Sequence, residues 1–379
     1  MKVYKIGIIG YGGFGQFLHH WWDRLDRVKV IAVATGPHDH NDYPGIIKYG
    51  DWHELIADPQ LDIVSIATPP AFHVEMAAEA MRAGKHVLVE KPVALSASGV
   101  EELLDVQRET GKVILVDHML RYNPIVGALI HFGKQQAFGK LRHVSVTNYA
   151  QDSSLPADHW FWDREQSGGI FVEHGVHFFD IVNSLTDQKV AKIHGVAHRR
   201  NDRQQDQVSA MVLYDGGLVA NHYHSFSGPG FFEETTIRLM YDLAKVEVSG
   251  WIPLRGKISA LVDDTSLKSL DTFPGLQVKA DTAIGNLIDL SRPEGWGDAR
   301  ARAIGEIEVS GLKYSIERMV SAEFSISDDK SAVYGSCIQA IMLDLIAKIE
   351  DPSHRTKVSI IDAYEALKHA VSADSDAMR

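Results

Sequence analysis

Lys5-Ile6-Gly7-Ile8-Ile9-Gly10-Tyr11-Gly12-Gly13-Phe14-Gly15 is the stretch on which the fold turns. It begins as a short apolar run and ends in glycines at the spacing G-x-G-x-x-G, ahead of a helical pattern over 13–25. A glycine triad alone is a weak signal. Between a buried strand and a helix start it acquires a physical meaning. Gly10 permits a tight turn, Gly12 lets backbone N–H groups approach a pyrophosphate, and Gly15 lets the helix lie close against the strand. Gly13 and Phe14 open that helix, whose N-terminus faces the anion. The bland rival is a glycine-rich turn that holds nothing.

The alternation that starts there continues. Apolar runs at 28–35, 63–68, 86–90 and 113–117 read as strands covered on both faces. Helical patterns at 72–83 and 96–110 lie among them, closed by Gly84 and Gly111. Such βαβα order predicts a doubly wound parallel sheet, a Rossmann domain over residues 1–122. Beyond Tyr122 the pattern changes. A helix is predicted over 124–136 and another over 170–185, with strands at 140–149, 190–199, 208–214, 218–226 and 235–239. Asp215-Gly216-Gly217 is a hairpin turn between two of them. Residues 123–379 therefore read as an α+β domain with a large, mostly antiparallel open sheet, in which 251–325 is an irregular excursion. Amphipathic helices at 331–350 and 360–372 close the chain.

Composition narrows the function. A chain of 379 residues accommodates two domains. A net charge of −12 without a Lys/Arg run argues against a nucleic-acid partner. No run approaches the ~18 apolar residues of a spanning helix, and the N-terminus enters a strand without a signal-peptide core, so a cytoplasmic protein without a membrane partner is expected. The one cysteine, Cys337, cannot form an intrachain disulfide and reads as helix interior.

Chemistry-bearing residues gather at the carboxyl ends of the predicted strands, where open α/β sheets bind ligands. The second strand ends at Ala34-Thr35 with no acid to take a ribose 2′-hydroxyl; Thr35 and His38 suit a 2′-phosphate, which tilts the choice between NAD and NADP toward NADP. Thr68, Pro69 and His73 follow the third strand, and Glu90-Lys91-Pro92 the fourth. Each is a cofactor-binding candidate, and Lys91 a catalytic one. In the predicted helix 170–185, Glu173, His177, Asp180 and Ser184 share one face of a regular α-helix. A polar stripe among Phe171, Val176, Phe178 and Ile181 is either a satisfied internal network or the lining of a site. His174 points about 100° away from Glu173 on such a helix, and the order H-E-x-x-H is absent, so no metal site is expected.

Taken in order, Gly10–Gly15, Thr68–His73, Glu90-Lys91-Pro92, Arg121-Tyr122-Asn123-Pro124 and the Gly168–Asp180 helix resemble the Gfo/Idh/MocA family, named for glucose–fructose oxidoreductase, inositol dehydrogenase and MocA. The resemblance covers 3–245, is absent over most of 251–325 and returns weakly in the last two helices. It implies an NAD(P)-dependent oxidoreductase that moves a hydride between nicotinamide and a sugar, polyol or cyclitol. It also implies a catalytic Lys91, His177 as the acid/base, and an open sheet that makes a homodimer or homotetramer. On that reading Glu173 orients the imidazole, and Asn123 and Asp180 bind substrate hydroxyls alongside Lys91, Glu173 and His177. The chain departs from the pattern at Glu173, where inositol dehydrogenase-like members carry Asp; the carboxylate reaches one methylene further. Two alternatives stay open: a glycosidase of the same family type that uses NAD transiently, and a dinucleotide sensor without catalysis.

Overall fold

The computed structural model describes residues 1–36, 39–287 and 305–379. His38 lies outside the described residues. The first sheet contains β1 (Tyr4–Ile9), β2 (Val28–Ala34), β3 (Ile47–Tyr49), β4 (Ile63–Ile66), β5 (His86–Val89) and β6 (Ile114–Val116), all parallel, in the order β3-β2-β1-β4-β5-β6. That order reverses direction at β1/β4, which opens a crevice at the carboxyl edge. Ile6, Ile8, Ile63, Val64, Val87 and Val89 are fully buried because α1 (Gly13–Trp22), α2 (Trp52–Ala57), α3 (His73–Arg82) and α4 (Ala97–Thr110) cover both faces. β3 and α2 carry too few apolar residues to show a period. Asp51 nevertheless caps α2 by accepting from the His53 N–H.

Asn123 starts the second layer. Its side chain accepts from the N–H groups of Ile125 and Val126, capping α5 (Pro124–Gln135). β7 (Leu141–Gln151), β8 (Val190–Arg199), β9 (Gln205–Tyr214), β10 (Val219–Gly228), β11 (Glu234–Tyr241) and β12 (Ala244–Ser249) belong to a nine-stranded sheet. β13 (Arg255–Val262) and β14 (Gln277–Ala283) extend it; β15 (Glu306–Val309) and β16 (Leu312–Ser315) form a separate hairpin; β17 (Arg318–Ser325) rejoins it. The order is β14-β17-β13-β12-β11-β7-β10-β9-β8, antiparallel except where β7 meets β10. The stretch 251–325 is thus not an irregular excursion: it supplies three strands of the main sheet. β13 and β17 alternate, burying Ile258, Ala260, Val262 and Val320, Ala322, Phe324, but outward Leu261 and Met319 blur the pattern, and β14 is exposed along nearly its whole length.

Short helices α6 (Arg164–Ser167), α8 (Asp264–Leu267) and α9 (Ile284–Leu287) punctuate this half. α7 (Val176–Ser184) lies on the sheet's inner face, where Phe179 stacks on His222 of β10. α10 (Lys330–Glu350) returns to the first sheet: Trp22 Nε1 donates to the Ile338 carbonyl and Gln339 Nε2 to the Trp21 carbonyl. By length and composition α10 passes as a spanning helix, but Val333, Ile338, Ile341, Met342 and Leu345 are packed in the interior. Cys337, on the same helix, is buried, and burial pushes its thiol up to about 12. α11 (Ile360–Ala377) covers β8 and α7. Among the described residues of one chain, nothing covers the outer sheet face. It mixes Tyr149, Met211, Leu213 and Met240 with Arg238 and Asn221, so it is less apolar than an ordinary core face.

Candidate active site

The glycine loop joins β1 to α1. Gly10 has φ +90°, and a Cβ there would lie 2.4 Å from the Ala67 carbonyl oxygen of the next strand's end. A Cβ on Gly15 would lie 2.3 Å from the Gly10 oxygen, so helix and strand could not approach as they do. Gly12 and Gly13 have nothing within 4 Å where a Cβ would stand. No side chain caps α1 and no acid sits in its first turn, which leaves its N–H groups facing that space. This arrangement fits a pyrophosphate. Thr35 follows β2, half-buried, while the Asp39 carboxylate is taken up by Tyr43 Oη and the Asn41 N–H in its own loop.

The loop after β4 is held from beneath. The two ring nitrogens of buried His73 sit 2.7 Å from the Pro92 carbonyl oxygen and 2.8 Å from that of Thr68. His73 therefore ties the Thr68-Pro69-Pro70 loop to the Lys91-Pro92 loop. It is a structural clasp, absent from the cleft lining.

Between the two sheets lies a cleft of about 280 Å³. Phe14, Thr68, Glu90 and Lys91 line it from the first layer, and Glu173, His174 and His177 from the second. Lys91 reaches across, donating to the Glu173 carboxylate at 2.6 Å and to the Glu173 carbonyl at 2.9 Å. Glu173 thus grips Lys91, with no bond to the imidazole it was expected to orient. Residues Phe171–Gly175 form a π-helical turn before α7, and Glu173, His174 and His177 all line the cleft from this turn and helix. The Glu173 carboxylate is spent on Lys91 from the other sheet.

Burial dominates the electrostatics. It drives the His177 pKa well below the usual imidazole value, with the Lys91 charge adding to the effect, so the ring is neutral near pH 7. His174 is pushed to about 3 for the same two reasons. Half-buried Glu90 and buried Asp117 form a carboxyl pair: burial and the Asp117 charge raise Glu90 well above the carboxylate range, and burial lifts Asp117 to about 6. Such a pair retains a proton where two isolated acids would not.

Two expected substrate contacts lie elsewhere. Asn123 is buried; besides capping α5 it donates to the Pro253 carbonyl at 2.9 Å. Asp180 is clamped by Arg121, Nε at 2.7 Å and Nη2 at 3.0 Å, away from the cleft. Neither lines the cleft, because each satisfies a buried neighbour instead. Conversely, Trp160, Trp251, Met119 and Tyr334 form cleft walls that no motif announced. Trp251 follows Gly250, whose φ of +102° turns the chain back, and its ring meets His177 edge-on at 4.8 Å. The one available signal was this Gly-Trp pair just beyond a strand.

Comparison with known proteins agrees with this geometry. The description "Oxidoreductase family, NAD-binding Rossmann fold" matches residues 4–118, and "GFO/IDH/MocA C-terminal domain" matches residues 129–243. The chain belongs to the Gfo/Idh/MocA oxidoreductase family. Among relatives of this Gfo/Idh/MocA protein, 1-carboxy-3-chloro-3,4-dihydroxycyclohexa-1,5-diene dehydrogenase of Comamonas testosteroni is 28% identical over 61% of the chain. The scyllo-inositol 2-dehydrogenase (NADP(+)) of Bacillus subtilis is 26% identical over 58%. Each alignment spans 62% of the relative's own length. The solved structure of myo-inositol 2-dehydrogenase from Lactobacillus plantarum superposes with a TM-score of 0.71 at 17% identity, covering 100% of this chain and 98% of that one. At that identity the likeness is one of fold.

Proposed function

We propose that this protein is a nicotinamide-dependent oxidoreductase that interconverts a secondary alcohol and a ketone on a small polyhydroxylated ring. One observation carries the reading: Lys91, from the edge of the parallel sheet, and His177, from a helix on the second sheet, line the same cleft beside Thr68 and Phe14 of the dinucleotide face. Catalysis at the junction of two layers requires both to serve one carbon.

When bound, the cofactor supplies or accepts the hydride. Gly10 to Gly15 would hold its pyrophosphate, and Thr68, Pro69 and Glu90 are the residues that would contact the rest of it. In the oxidation direction His177, kept neutral by burial, takes the hydroxyl proton. The Lys91 ammonium stands beside the developing alkoxide, a charge already in place before the reaction. Glu173 fixes that ammonium in place. Trp160 and Trp251 offer flat walls to a ring. The names of the two curated relatives, a dihydroxycyclohexadiene dehydrogenase and an inositol dehydrogenase, favour a cyclic substrate with neighbouring hydroxyls. The absence of an acid at Thr35 favours NADP over NAD. We place the boundary between the two domains at residues 122/123, with α10 as a strap back onto the first.

A panel of cyclitols, cyclic diols and sugars with each cofactor, read by reduced-nicotinamide absorbance, tests the proposal. A cyclic secondary alcohol is expected to turn over, with NADP binding tighter than NAD. Absence of hydride transfer from every alcohol in the panel would overturn the function, and tighter binding of NAD the cofactor choice.

A further inference from the structure

His118 follows β6 at the carboxyl edge of the parallel sheet, is 1% exposed, and finds no hydrogen-bond partner among the described residues for either ring nitrogen. A buried imidazole without a partner is costly, and its position gives it a use. Its ring stands perpendicular to that of His177, with centroids 6.3 Å apart. This separation is too long for a direct hydrogen bond and suits one bridging water. On its other side, His118 Nδ1 lies 3.8 Å from Asp180 Oδ2. Arg121 holds both Asp180 oxygens, and Arg121 Nη2 comes within 3.9 Å of Asp362 Oδ1. Arg121 and the 44%-exposed Asp362 line an open groove that shares no residue with the cleft.

Oxidation of an alcohol leaves a proton on His177 at the moment when substrate and cofactor fill the cleft. That proton needs a path out. We propose that His118 is a proton relay that takes the proton from His177 and passes it by way of Asp180 to the groove at Arg121 and Asp362. The inference rests on the function proposed above. The balance closes: the substrate O–H breaks as His177 gains N–H, and the C–H electron pair leaves as hydride to the nicotinamide cofactor. His177 then returns to neutral as His118 gains the proton, and groove water receives it. The groups around His118 suit a transient cation. Asp180 and Asp362 favour the charged ring, whereas burial, Arg121 and Lys91 oppose it, so the ring rests neutral and does not keep the proton.

The experiment compares wild type, His118→Phe and His118→Ala, with the alcohol that the panel identifies. For His118→Phe we expect first-turnover hydride transfer near the wild-type rate. Steady-state kcat should fall at least about tenfold, a smaller loss than removal of a direct acid–base group, with an enlarged solvent deuterium isotope effect and unchanged cofactor Kd. Added imidazole should restore His118→Ala, whose cavity admits it, and should not restore His118→Phe. A second readout needs no turnover. Because His118 and His177 repel each other when charged, histidine ¹⁵N spectra of the cofactor-free protein should show the His177 titration moved upward in His118→Phe. A His118→Phe protein with wild-type kcat and isotope effect, or one whose losses lie wholly in KM and cofactor Kd, would overturn the relay. An unmoved His177 titration would do so as well. Failure of the proposed function is distinct: it appears as absent hydride transfer in the wild type.

Discussion

Gly12→Val separates ligand binding from folding at a single position. Gly12 has φ −76° and ψ −161°, extended backbone open to any residue, and no atom of the described residues lies within 4 Å of a Cβ placed there. The apo fold should therefore tolerate valine. The branched side chain occupies the space in front of the uncapped α1 N-terminus, where the pyrophosphate must sit. Displacing the anion by one side-chain layer forfeits about two charge-assisted hydrogen bonds at roughly 1.5–3 kcal/mol each. The sum, about 3–6 kcal/mol, is a 10²–10⁴-fold weaker Kd. Gly15→Val is the converse, because its Cβ meets the Gly10 oxygen at 2.3 Å; it should lower Tm before any cofactor is added. Calorimetric titration with NADH and NADPH, together with apo-protein Tm, reads both effects. A Gly12→Val protein that binds either cofactor within threefold of wild type would refute the reasoning, as would one whose apo Tm falls like that of Gly15→Val.

Other outcomes follow from the same geometry. His118, His174, His177, His222 and His224 all have pKa values lowered by burial, so the unfolded chain takes up protons that the folded chain refuses. Their contribution is intact above pH ~6.5 and lost below it, at up to about 1.4 kcal/mol per pH unit for each ring; a urea midpoint unchanged from pH 7 to 5 would contradict this. Lys91 and Glu173, each 14% exposed, form a pair whose disruption from one side should cost about 3–5 kcal/mol. Lys91→Met/Glu173→Gln should be more stable than Glu173→Gln alone, and strict additivity in denaturation would count against the pairing. The uncovered outer face of the nine-stranded sheet should be buried by a second copy. Light scattering should give a dimer or tetramer of the 42.0 kDa chain, and a monomer at micromolar concentration would count against it.

The parallel sheet was legible because its strands are continuous apolar runs and its helices end on Gly84 and Gly111, both with positive φ. The glycine loop was legible because three glycines have three separate steric reasons. β12, β13 and β17 do alternate and were within reach, the last two blurred by outward Leu261 and Met319, whereas β14, exposed along nearly its whole length, leaves no alternation to read. In the site, strand ends and helix pattern singled out Lys91 and His177, which both line the cleft, but the partner of Glu173 was misread. Spacing places Glu173 and His177 on one side, but it cannot show that Lys91, from the other sheet, takes the carboxylate. Trp160, Trp251 and Tyr334 reach the cleft from three distant segments, a convergence that only the tertiary fold creates.

The central claim is that Lys91 and His177 act on one substrate although they arise from different sheets. The direct measurement is kcat for Lys91→Met, His177→Ala and the double variant, with cofactor affinity measured alongside. Loss of the base alone should cost about 10²–10⁴-fold in turnover with cofactor Kd nearly unchanged. The double variant should lose far less than the product of the single losses, as groups serving one transition state do. Near-normal turnover in His177→Ala across the pH range, or a double loss equal to that product, would contradict the account.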